Sequence, residues 1–275
     1  MAGGAGTRLY PISTPEHPKQ FIDLLGCGRT MIQLTYERFL EVAPDARFWV
    51  VTSAMYEHFV REQLPQIPAE QILLEPEPRN TAPCIAYACR KIRLRYDDAV
   101  IVNTPADAFV PDVKAFASTM RQALDFASTR KAIVCIGIHP TEPHTGYGYI
   151  RSAGGEGVVK VEAFKEKPDL ATAESYLHEG SYSWNAGIFV WSAATIEEEL
   201  RKFAPQICGV MDFMQESFYT EREGQILSEH FAECDKISID YAVMEKSEDI
   251  YTLRGDWVWS DLGSFESIEK VKYLK

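Results

Sequence analysis

The sequence is poor in the features that define several large protein classes. Its six cysteines form no C-x-x-C pair and no zinc-type spacing with histidine, so neither a disulfide framework nor a structural zinc is indicated. No apolar run approaches the roughly 20 residues that span a bilayer, and no signal peptide is recognisable. We therefore expect a cytoplasmic protein with no membrane partner, whose cysteines serve packing.

Positive charge is also scarce. The chain has 28 Lys and Arg residues against 40 Asp and Glu residues, a net charge of −12. Such a balance argues against a broad nucleic-acid-binding surface, because that surface would need clustered cations. Any phosphate ligand must then be held by a few local cations or by a metal ion.

The first half of the chain alternates apolar, β-branched segments with amphipathic segments. The predicted strands are RFWVVT (47–52), DAVIVN (98–103) and KAIVCIGI (131–138), and the predicted helices span 30–43, 82–96 and 113–128. Strand–helix–strand repetition of this kind predicts an α/β fold with a Rossmann-like mixed, mainly parallel sheet and helices on both faces.

The second half changes to short strands broken by glycine and charge, followed by helical patterns across 193–231. The strand candidates are GYGYIRS (146–152), GVVKVEAFKEKP (157–168) and SWNAGIFVW (183–191). Since no linker, repeat or low-complexity tract interrupts the chain, we interpret residues 1–275 as one mixed α/β domain.

A glycine-rich loop opens the sequence. Gly3, Gly4 and Gly6 allow positive φ angles and let several N–H groups face one anion, which is typical of a phosphate cradle. The dinucleotide fingerprint fails because Leu9 stands at its third glycine, and no Walker A motif follows. Arg8 and Lys19 could flank a polyphosphate, although a plain glycine turn with two solvated cations is the alternative.

Two aspartates are candidates for a metal site. Asp107 follows the strand AVIVN, at the place where ligands collect in open α/β sheets, and Asp261 lies beside a glycine turn in WSDLGSF. Two carboxylates together with substrate phosphates are the usual protein environment of Mg²⁺. Each aspartate taken alone is more typical of a turn or a helix cap.

The motifs together resemble a known family. GGAGTRLYP (3–11) and PKQF (18–21) are similar to the signature of sugar-nucleotide pyrophosphorylases, and EPEPRNTAPC (75–84) with WNAGIFVW (184–191) resembles the mannose-1-phosphate guanylyltransferase branch. The resemblance implies a nucleotide-diphospho-sugar transferase fold and formation of GDP-mannose and pyrophosphate from GTP and mannose 1-phosphate. The resemblance also implies Mg²⁺ as cofactor and allows a homodimer. Relatives often carry a C-terminal β-helix, and we expect that domain to be mostly absent here, with about 268–275 as its start.

The resemblance gives each motif residue an expected role. The catalytic residues are Arg8, Lys19 and Lys167; the nucleotide-binding residues are Gly3, Gly4, Gly6, Thr7, Arg79, Asn80, Thr81 and Asp107; the sugar-binding residues are Gly148, Glu166, Asn185 and Gly187; and the metal ligands are Asp107 and Asp261. One departure is that Ala106 and Ala108 stand where many relatives carry Ser and His, so we expect the support around Asp107 to differ from theirs.

Several alternatives stay open. The same chemistry could use dTTP or UTP with glucose 1-phosphate, or the chain could be a regulatory paralogue that binds a nucleotide sugar without turnover. Asn80 or Thr81 could be only the N-cap of the following helix. Because a phosphate cradle of this type follows a strand, we also expect an apolar strand of about five residues before Met1.

Overall fold

The structure, a computed structural model, describes residues 1–4 and 6–272. Their α-helices are α1 (Met31–Val42), α2 (Glu57–Gln63), α3 (Thr81–Arg93), α4 (Val113–Thr129), α5 (Leu170–Glu179), α6 (Ala193–Phe203), α7 (Pro205–Met214), α8 (Glu223–His230) and α9 (Phe265–Lys272). The strands are β1 (Val50–Ser53), β2 (Ile72–Glu75), β3 (Val100–Asn103), β4 (Ile133–Ile138), β5 (Gly148–Ser152), β6 (Val158–Glu166), β7 (Tyr182–Ser192) and β8 (Ile250–Gly255).

Local sequence signals fix several helix ends. The Asp169 side chain accepts the Thr172 N–H at 2.8 Å before α5, and Gly180 ends that helix with a φ of 72°. Ser192 caps α6 by accepting the Thr195 N–H at 3.0 Å. Short polar side chains at N-caps and glycine after the last turn satisfy backbone groups that the helix leaves without partners.

Backbone contacts divide the chain into two compact units. The first unit comprises Met1–Pro78, Pro105–Ser118 and Trp257–Lys275, and the second comprises Arg79–Thr104 and Thr119–Asp256. The expectation of one domain over 1–275 rests on the lack of a linker, and it stays a prediction.

The first unit contains a small parallel sheet. β1 pairs with β2 in the register Val50↔Ile72, with α2 between them along the chain. Apolar side chains of the loops, α1 and α2 pack against this pair, including the buried Phe21 and Val60. At the chain start, the Ala2 N–H donates to the Val51 carbonyl at 2.7 Å.

The second unit contains a six-stranded sheet in the order β3-β7-β4-β8-β6-β5, with a further pairing of β7 with β5. The central strands β4 and β7 are largely buried, and Trp191 and Phe189 of β7 are among the largest fully buried side chains. Helices α3, α6 and α7 pack against one another beside this sheet. Burial on both faces explains the continuous apolar sequence of β4 and of residues 188–191 in β7.

The α/β class with mixed sheets is confirmed, but the sheet of the second unit is not mainly parallel. Only β4–β8 is a parallel pair among its described strands; the other pairs, β3–β7, β4–β7, β5–β6, β5–β7 and β6–β8, are antiparallel. β3 and β4 both run antiparallel to β7, so they share one direction as the intervening α4 predicts. They are not neighbours, because β7 lies between them, and alternating apolar periodicity does not encode that insertion.

The remaining expectations can be compared with the described residues. The cysteines carry free thiols, and five of them are buried, as expected for packing residues. The expectation was wrong for Cys27, which is exposed. Among the described residues, no helix has the length and apolar character needed to cross a membrane. The described part of 268–275 belongs to α9 rather than to a β-helix, and residues 273–275 lie outside the description.

Candidate active site

The glycine-rich loop of the first unit is closely packed at Gly6. This residue has a φ of 62°, and a Cβ added there would lie 2.3 Å from Ser13 Oγ and 3.1 Å from the Lys19 backbone N. Both the backbone conformation and the space therefore require glycine. Thr7–Leu9 follow as a 3₁₀ turn with Arg8 exposed.

Gln20 ties this loop to the PKQ segment. Its Nε2 donates to the Ala2 carbonyl at 2.9 Å and to the Gly4 carbonyl at 2.8 Å, and its side chain is buried. Sequence reasoning did not single out Gln20. The signal was available, because a polar amide next to Lys19 in a predicted site needs partners when it is buried.

The Gly3 backbone lies against Glu75 at the end of β2. A Cβ at Gly3 would approach Glu75 Oε2 to 3.3 Å. Burial raises the pKa of the Glu75 carboxyl to about 7, so this side chain holds a proton more readily than an exposed glutamate does. The sequence placed Glu75 only in the EPEPRNTAPC motif. In the structure its carboxylate also lies beside the glycine-rich loop.

Lys19 joins the two predicted metal ligands. Its ammonium lies 3.0 Å from Asp107 Oδ2 and also donates to the Asp261 backbone carbonyl. The lysine side chain is 9% exposed, so its charge is largely removed from bulk water and depends on these partners. Lys19, Asp107 and Asp261, which are distant in sequence, are thus brought together.

Helix α1 positions the segment that carries Asp107. Thr35 Oγ1 donates to the Ala106 carbonyl at 3.2 Å, and Arg38 Nη1 donates to the Ala108 carbonyl at 3.2 Å. Burial lowers the pKa of Arg38 to about 10. The two small residues flanking the aspartate are therefore held through their backbone, which supplies support that the alanine side chains cannot give.

A β-bridge positions Asp261. Phe109 and Ser260 exchange backbone hydrogen bonds of 2.8 and 3.1 Å, which pairs the segment after Asp107 with the segment before Asp261. Asp261 Oδ1 accepts the Gly263 N–H at 3.0 Å, and Arg8 Nη2 lies 3.3 Å from Asp261 Oδ2. The predicted set of Arg8, Lys19, Asp107 and Asp261 thus forms one cluster, termed here the cation–carboxylate cluster.

The donor chemistry of this cluster fits a hard divalent cation. The Lys19 ammonium contacts the Asp107 carboxylate and the Asp261 backbone carbonyl, while the Asp261 carboxylate contacts Arg8 and the Gly263 N–H. Among the described residues, no group of three or more His, Cys, Asp or Glu side chains could hold a metal ion by itself, so the two aspartates would need further oxygen donors. Mg²⁺ commonly takes one or two carboxylates and completes its shell with water and substrate phosphates. Asp107 and Asp261 are the residues that would hold it.

In the second unit, the start of α3 is organised by Asn80. Its Oδ1 accepts the Thr81 N–H at 2.9 Å, so the N-cap alternative is confirmed for Asn80. Thr81 Oγ1 accepts the Ile239 N–H at 2.8 Å, and the Arg79 guanidinium donates to the Ala232 carbonyl. These contacts are structural, and a role of the three residues in base binding stays a prediction.

The predicted sugar-side residues meet where β5, β6 and β7 lie together. Gly148 pairs with Glu166 across the β5–β6 ladder, and a Cβ at Gly148 would lie 2.5 Å from Glu166 Oε2 and 3.2 Å from Asn185 Cβ. A side chain at Gly148 would therefore displace the Glu166 carboxylate and crowd Asn185. Glu166 Oε1 lies 2.7 Å from Lys167 Nζ. Burial lowers the pKa of Lys167, but its hydrogen bond to Glu166 and the charge of Glu166 outweigh burial and raise it.

The Asn185 amide is held at both ends. Its Nδ2 donates to Asp240 Oδ1 at 3.1 Å, and its Oδ1 accepts the Gly187 N–H at 3.0 Å, where Gly187 has a φ of 70°. The expected partner of this amide is a sugar hydroxyl. Protein groups already satisfy it, and contact with a sugar stays a prediction. Asp240 was missed because nothing in its local sequence distinguishes it from a surface acid.

Backbone strain coincides with these clusters. The non-glycine residues of the described chain with positive φ include Asn80 (69°), Lys167 (47°) and Leu262 (46°), each within or next to a predicted motif. Tyr219, at 63°, lies elsewhere. A strained backbone conformation persists only where surrounding contacts hold it in place, and such conformations are common at functional sites.

The chain is similar in sequence to a known family and to several of its members. The family model of the nucleotidyl transferases matches residues 1–274, and the chain belongs to that family. It is 38% identical over 282 residues to the mannose-1-phosphate guanylyltransferase of Escherichia coli K12, covering 98% of this chain and 58% of that protein. It is 41% identical over 271 residues to the xanthan biosynthesis protein XanB of Xanthomonas campestris pv. campestris strain B100, covering 98% of this chain and 57% of XanB. The chain thus spans less than two thirds of the length of these relatives.

Solved structures agree with the family. A Thermus thermophilus structure described as a "mannose-1-phosphate geranyltransferase" matches with a TM-score of 0.88 and 33% identity, covering 99% of this chain and 78% of that one. A UDP-glucose pyrophosphorylase of Acinetobacter baumannii matches with a TM-score of 0.59 and 14% identity, covering 99% of this chain and 90% of that one. At that identity the second likeness shows the fold alone.

Proposed function

We propose that this chain is a Mg²⁺-dependent nucleotidyltransferase that forms GDP-mannose and pyrophosphate from GTP and mannose 1-phosphate. The observation that carries the proposal is the position of the Lys19 ammonium, between the Asp107 carboxylate and the backbone of Asp261. A buried cation between a carboxylate and a backbone carbonyl suits a reaction between two anions, which needs charge neutralisation and positioning more than a protein nucleophile.

We assign the nucleotide phosphates to the first unit. The backbone of the loop at Gly3, Gly4 and Gly6 would face the triphosphate, while Arg8 and Lys19 would neutralise the charge that develops on the departing pyrophosphate. Arg8 is suited to this role because its side chain is 66% exposed and can turn from Asp261 to a ligand. Lys19 is held in place and would act without reorganisation.

The metal would be held by Asp107 and Asp261. When bound, Mg²⁺ would polarise the reacting phosphate and offset its negative charge. Lys19 balances the charge of the Asp107 carboxylate, and the Gly263 N–H fixes the orientation of the Asp261 carboxylate.

We assign the sugar phosphate to the second unit. Glu166 presents a largely buried carboxylate suited to accept hydrogen bonds from sugar hydroxyls, and Lys167 presents an exposed ammonium suited to its phosphate. Asn185 and Gly148 shape the surface beside Glu166. In this scheme a phosphate oxygen of the sugar attacks the α-phosphorus of the nucleotide in line, and pyrophosphate leaves.

The choice of GTP and mannose 1-phosphate is supported by the name of the Escherichia coli relative at 38% identity. A dTTP or UTP specificity with glucose 1-phosphate would use the same clusters. A regulatory paralogue without turnover would be expected to lack some of the reacting groups, whereas Arg8, Lys19, Asp107, Lys167 and Asp261 are all retained.

The test is a matrix of reactions followed by pyrophosphate release. Purified protein with Mg²⁺ is mixed with each of GTP, ATP, UTP, CTP and dTTP and with each of mannose, glucose and galactose 1-phosphate. We expect the highest kcat/KM for GTP with mannose 1-phosphate. A maximum at another pair would replace the proposed substrates, and no release from any pair by folded protein would overturn the proposed activity.

A further inference from the structure

Asp240 lies at a junction of three elements of the second unit. It is the first residue of a single π-helical turn, Asp240–Met244, and its carboxylate accepts the Asn185 Nδ2–H of β7. The residues before it are tied to the start of α3, because the Ile237 carbonyl accepts the Ala82 N–H at 3.1 Å and the Ile239 N–H donates to Thr81 Oγ1 at 2.8 Å. Its position is therefore fixed independently of Asn185.

The groups around Asp240 make it sensitive to protons. Burial and the nearby Glu166 carboxylate raise the pKa of Asp240 to about 6, and the Lys167 ammonium and Ser238 hydroxyl oppose that rise. The buried Cys135 thiol of β4 also faces it, and the Asp240 charge adds to the burial that raises the pKa of that thiol. Above a pH of about 6 the Asn185 amide therefore donates to a charged acceptor, and below it to a neutral one.

We propose that Asp240 is a positioning residue for sugar recognition: it holds the Asn185 amide beside Glu166 and thereby sets the affinity for the sugar part of the ligand. This inference rests on the proposed function, since it takes the Glu166, Lys167 and Asn185 cluster as the sugar side. Asp240 contacts Asn185 rather than the substrate, so its effect is on the geometry that the sugar meets. The nucleotide part of the ligand is bound without its help.

Asp240 should therefore change the affinity for the mannose part of the ligand without changing the affinity for the nucleotide part. The ratio of the Kd for GDP to the Kd for GDP-mannose measures what the mannose part adds, and we term it the sugar gain. A hydrogen bond to a charged acceptor is stronger than one to a neutral acceptor. The sugar gain should therefore fall as Asp240 is protonated or replaced, while at each pH the replacement of Asp240 should leave the Kd for GDP equal to that of the unmodified protein.

The experiment is isothermal titration calorimetry of GDP and GDP-mannose with the full chain at pH 7.5 and pH 5.0. We expect the sugar gain of the unmodified protein to fall about tenfold between the two pH values. Asp240→Asn keeps an acceptor oxygen but removes the charge, so it should show the reduced sugar gain at both pH values and an unchanged Kd for GDP. Asp235→Asn, an exposed carboxylate on the same segment, is the matched control and should behave like the unmodified protein.

The outcomes distinguish this inference from the proposed function. A sugar gain of the unmodified protein that does not depend on pH would overturn the role of Asp240. This measurement uses no variant, so it tests the role even if Asp240→Asn does not fold. An unchanged sugar gain in folded Asp240→Asn overturns it as well, while pyrophosphate release would still support the transferase. If no pair gives pyrophosphate but the sugar gain depends on Asp240, the proposed turnover fails and the positioning role stands. Absence of GDP and GDP-mannose binding overturns both.

Discussion

The Lys19 ammonium lies 3.0 Å from the Asp107 carboxylate. This ion pair connects the segment that supports the glycine loop with the segment that would hold a metal ion. Gln20 extends the connection, because it binds two carbonyls of the loop from the position next to Lys19. Two adjacent residues, Lys19 and Gln20, thus contact the Asp107 carboxylate and the backbone of the glycine loop.

Replacement of Lys19 should abolish most of the activity while the fold persists. Lys19→Ala removes a largely buried cation that contacts the Asp107 carboxylate and the Asp261 backbone carbonyl, and we expect kcat/KM to fall by about two orders of magnitude or more. Steady-state pyrophosphate release measures the effect, and circular dichroism checks the fold. Lys114→Ala, at an exposed position of α4, is the matched control. Equal activity of the two variants would mean that the reacting site is misplaced.

The two aspartates should govern the requirement for Mg²⁺. In Asp107→Asn and in Asp261→Asn, turnover at saturating Mg²⁺ should fall by about two orders of magnitude, and the Mg²⁺ concentration for half-maximal rate should rise. A Mg²⁺ titration of the initial rate measures both quantities. Asp45→Asn, an exposed aspartate of the first unit, should leave them unchanged. An unaltered Mg²⁺ dependence in both site variants would exclude these carboxylates as ligands.

Two glycines of the loop should respond differently to a methyl group. Gly6→Ala would place Cβ 2.3 Å from Ser13 Oγ at a positive φ, so we expect the free energy of unfolding to fall by about 1–3 kcal/mol. At Gly4 no atom of the described residues, its chain neighbours left aside, lies within 4 Å of an added Cβ, so Gly4→Ala should retain stability and lower only the affinity for the nucleotide. Urea denaturation and nucleotide titration separate the two effects. Equal stability losses would contradict the described loop packing.

The cap of α3 offers a test of backbone strain. Asn80→Ala removes the side-chain acceptor for the Thr81 N–H and leaves a Cβ at a φ of 69°, so we expect a loss of about 1–2 kcal/mol of unfolding free energy. Asn80→Gly also removes the acceptor but relieves the strain, and its loss should be only about 0.3 kcal/mol. Chemical denaturation of both variants measures the difference. A glycine variant that is less stable than the alanine variant would contradict it.

Glu75 should make stability depend on pH. Its pKa rises from 4.5 in the unfolded chain to about 7 in the folded protein, so between these values the folded state binds more protons than the unfolded state. Stability should therefore fall as the pH rises from about 4.5 to 7, by on the order of 3 kcal/mol, and this contribution should level off above that range. Glu75→Gln should remove this component from a series of urea denaturations, whereas the exposed Glu62→Gln should keep it.

The sequence predicted most of the elements in the first half of the chain. The structure brings residues that it singled out into two clusters, and their roles stay predictions. Regular apolar periodicity located β3, α4 and β4 to within a few residues. The neighbours of β7 were not predictable in this way, because strand order is decided by long-range pairing. The short strands β2 and β8 were missed, since each consists of few residues without a distinctive alternating pattern.

In the candidate site, too, some residues were predictable from the sequence and others were not. Motif spelling identified Lys19 and Asp107, whose reactive groups the fold brings to 3.0 Å. It missed Arg38 and Asp240, which act on neighbours that are distant in sequence, the Ala108 carbonyl and the Asn185 amide. Supporting residues of this kind carry no local pattern, and only tertiary contacts reveal them.

The central claim is tested most directly by following labelled oxygen. Protein, Mg²⁺ and GTP are incubated with mannose 1-phosphate whose phosphate oxygens carry ¹⁸O, and the products are separated and analysed by mass spectrometry. If a sugar-phosphate oxygen attacks the α-phosphorus, GDP-mannose and pyrophosphate form in equal amounts, all label stays in GDP-mannose and the pyrophosphate carries none. Label in the pyrophosphate, or hydrolysis of GTP without formation of GDP-mannose, would contradict the account.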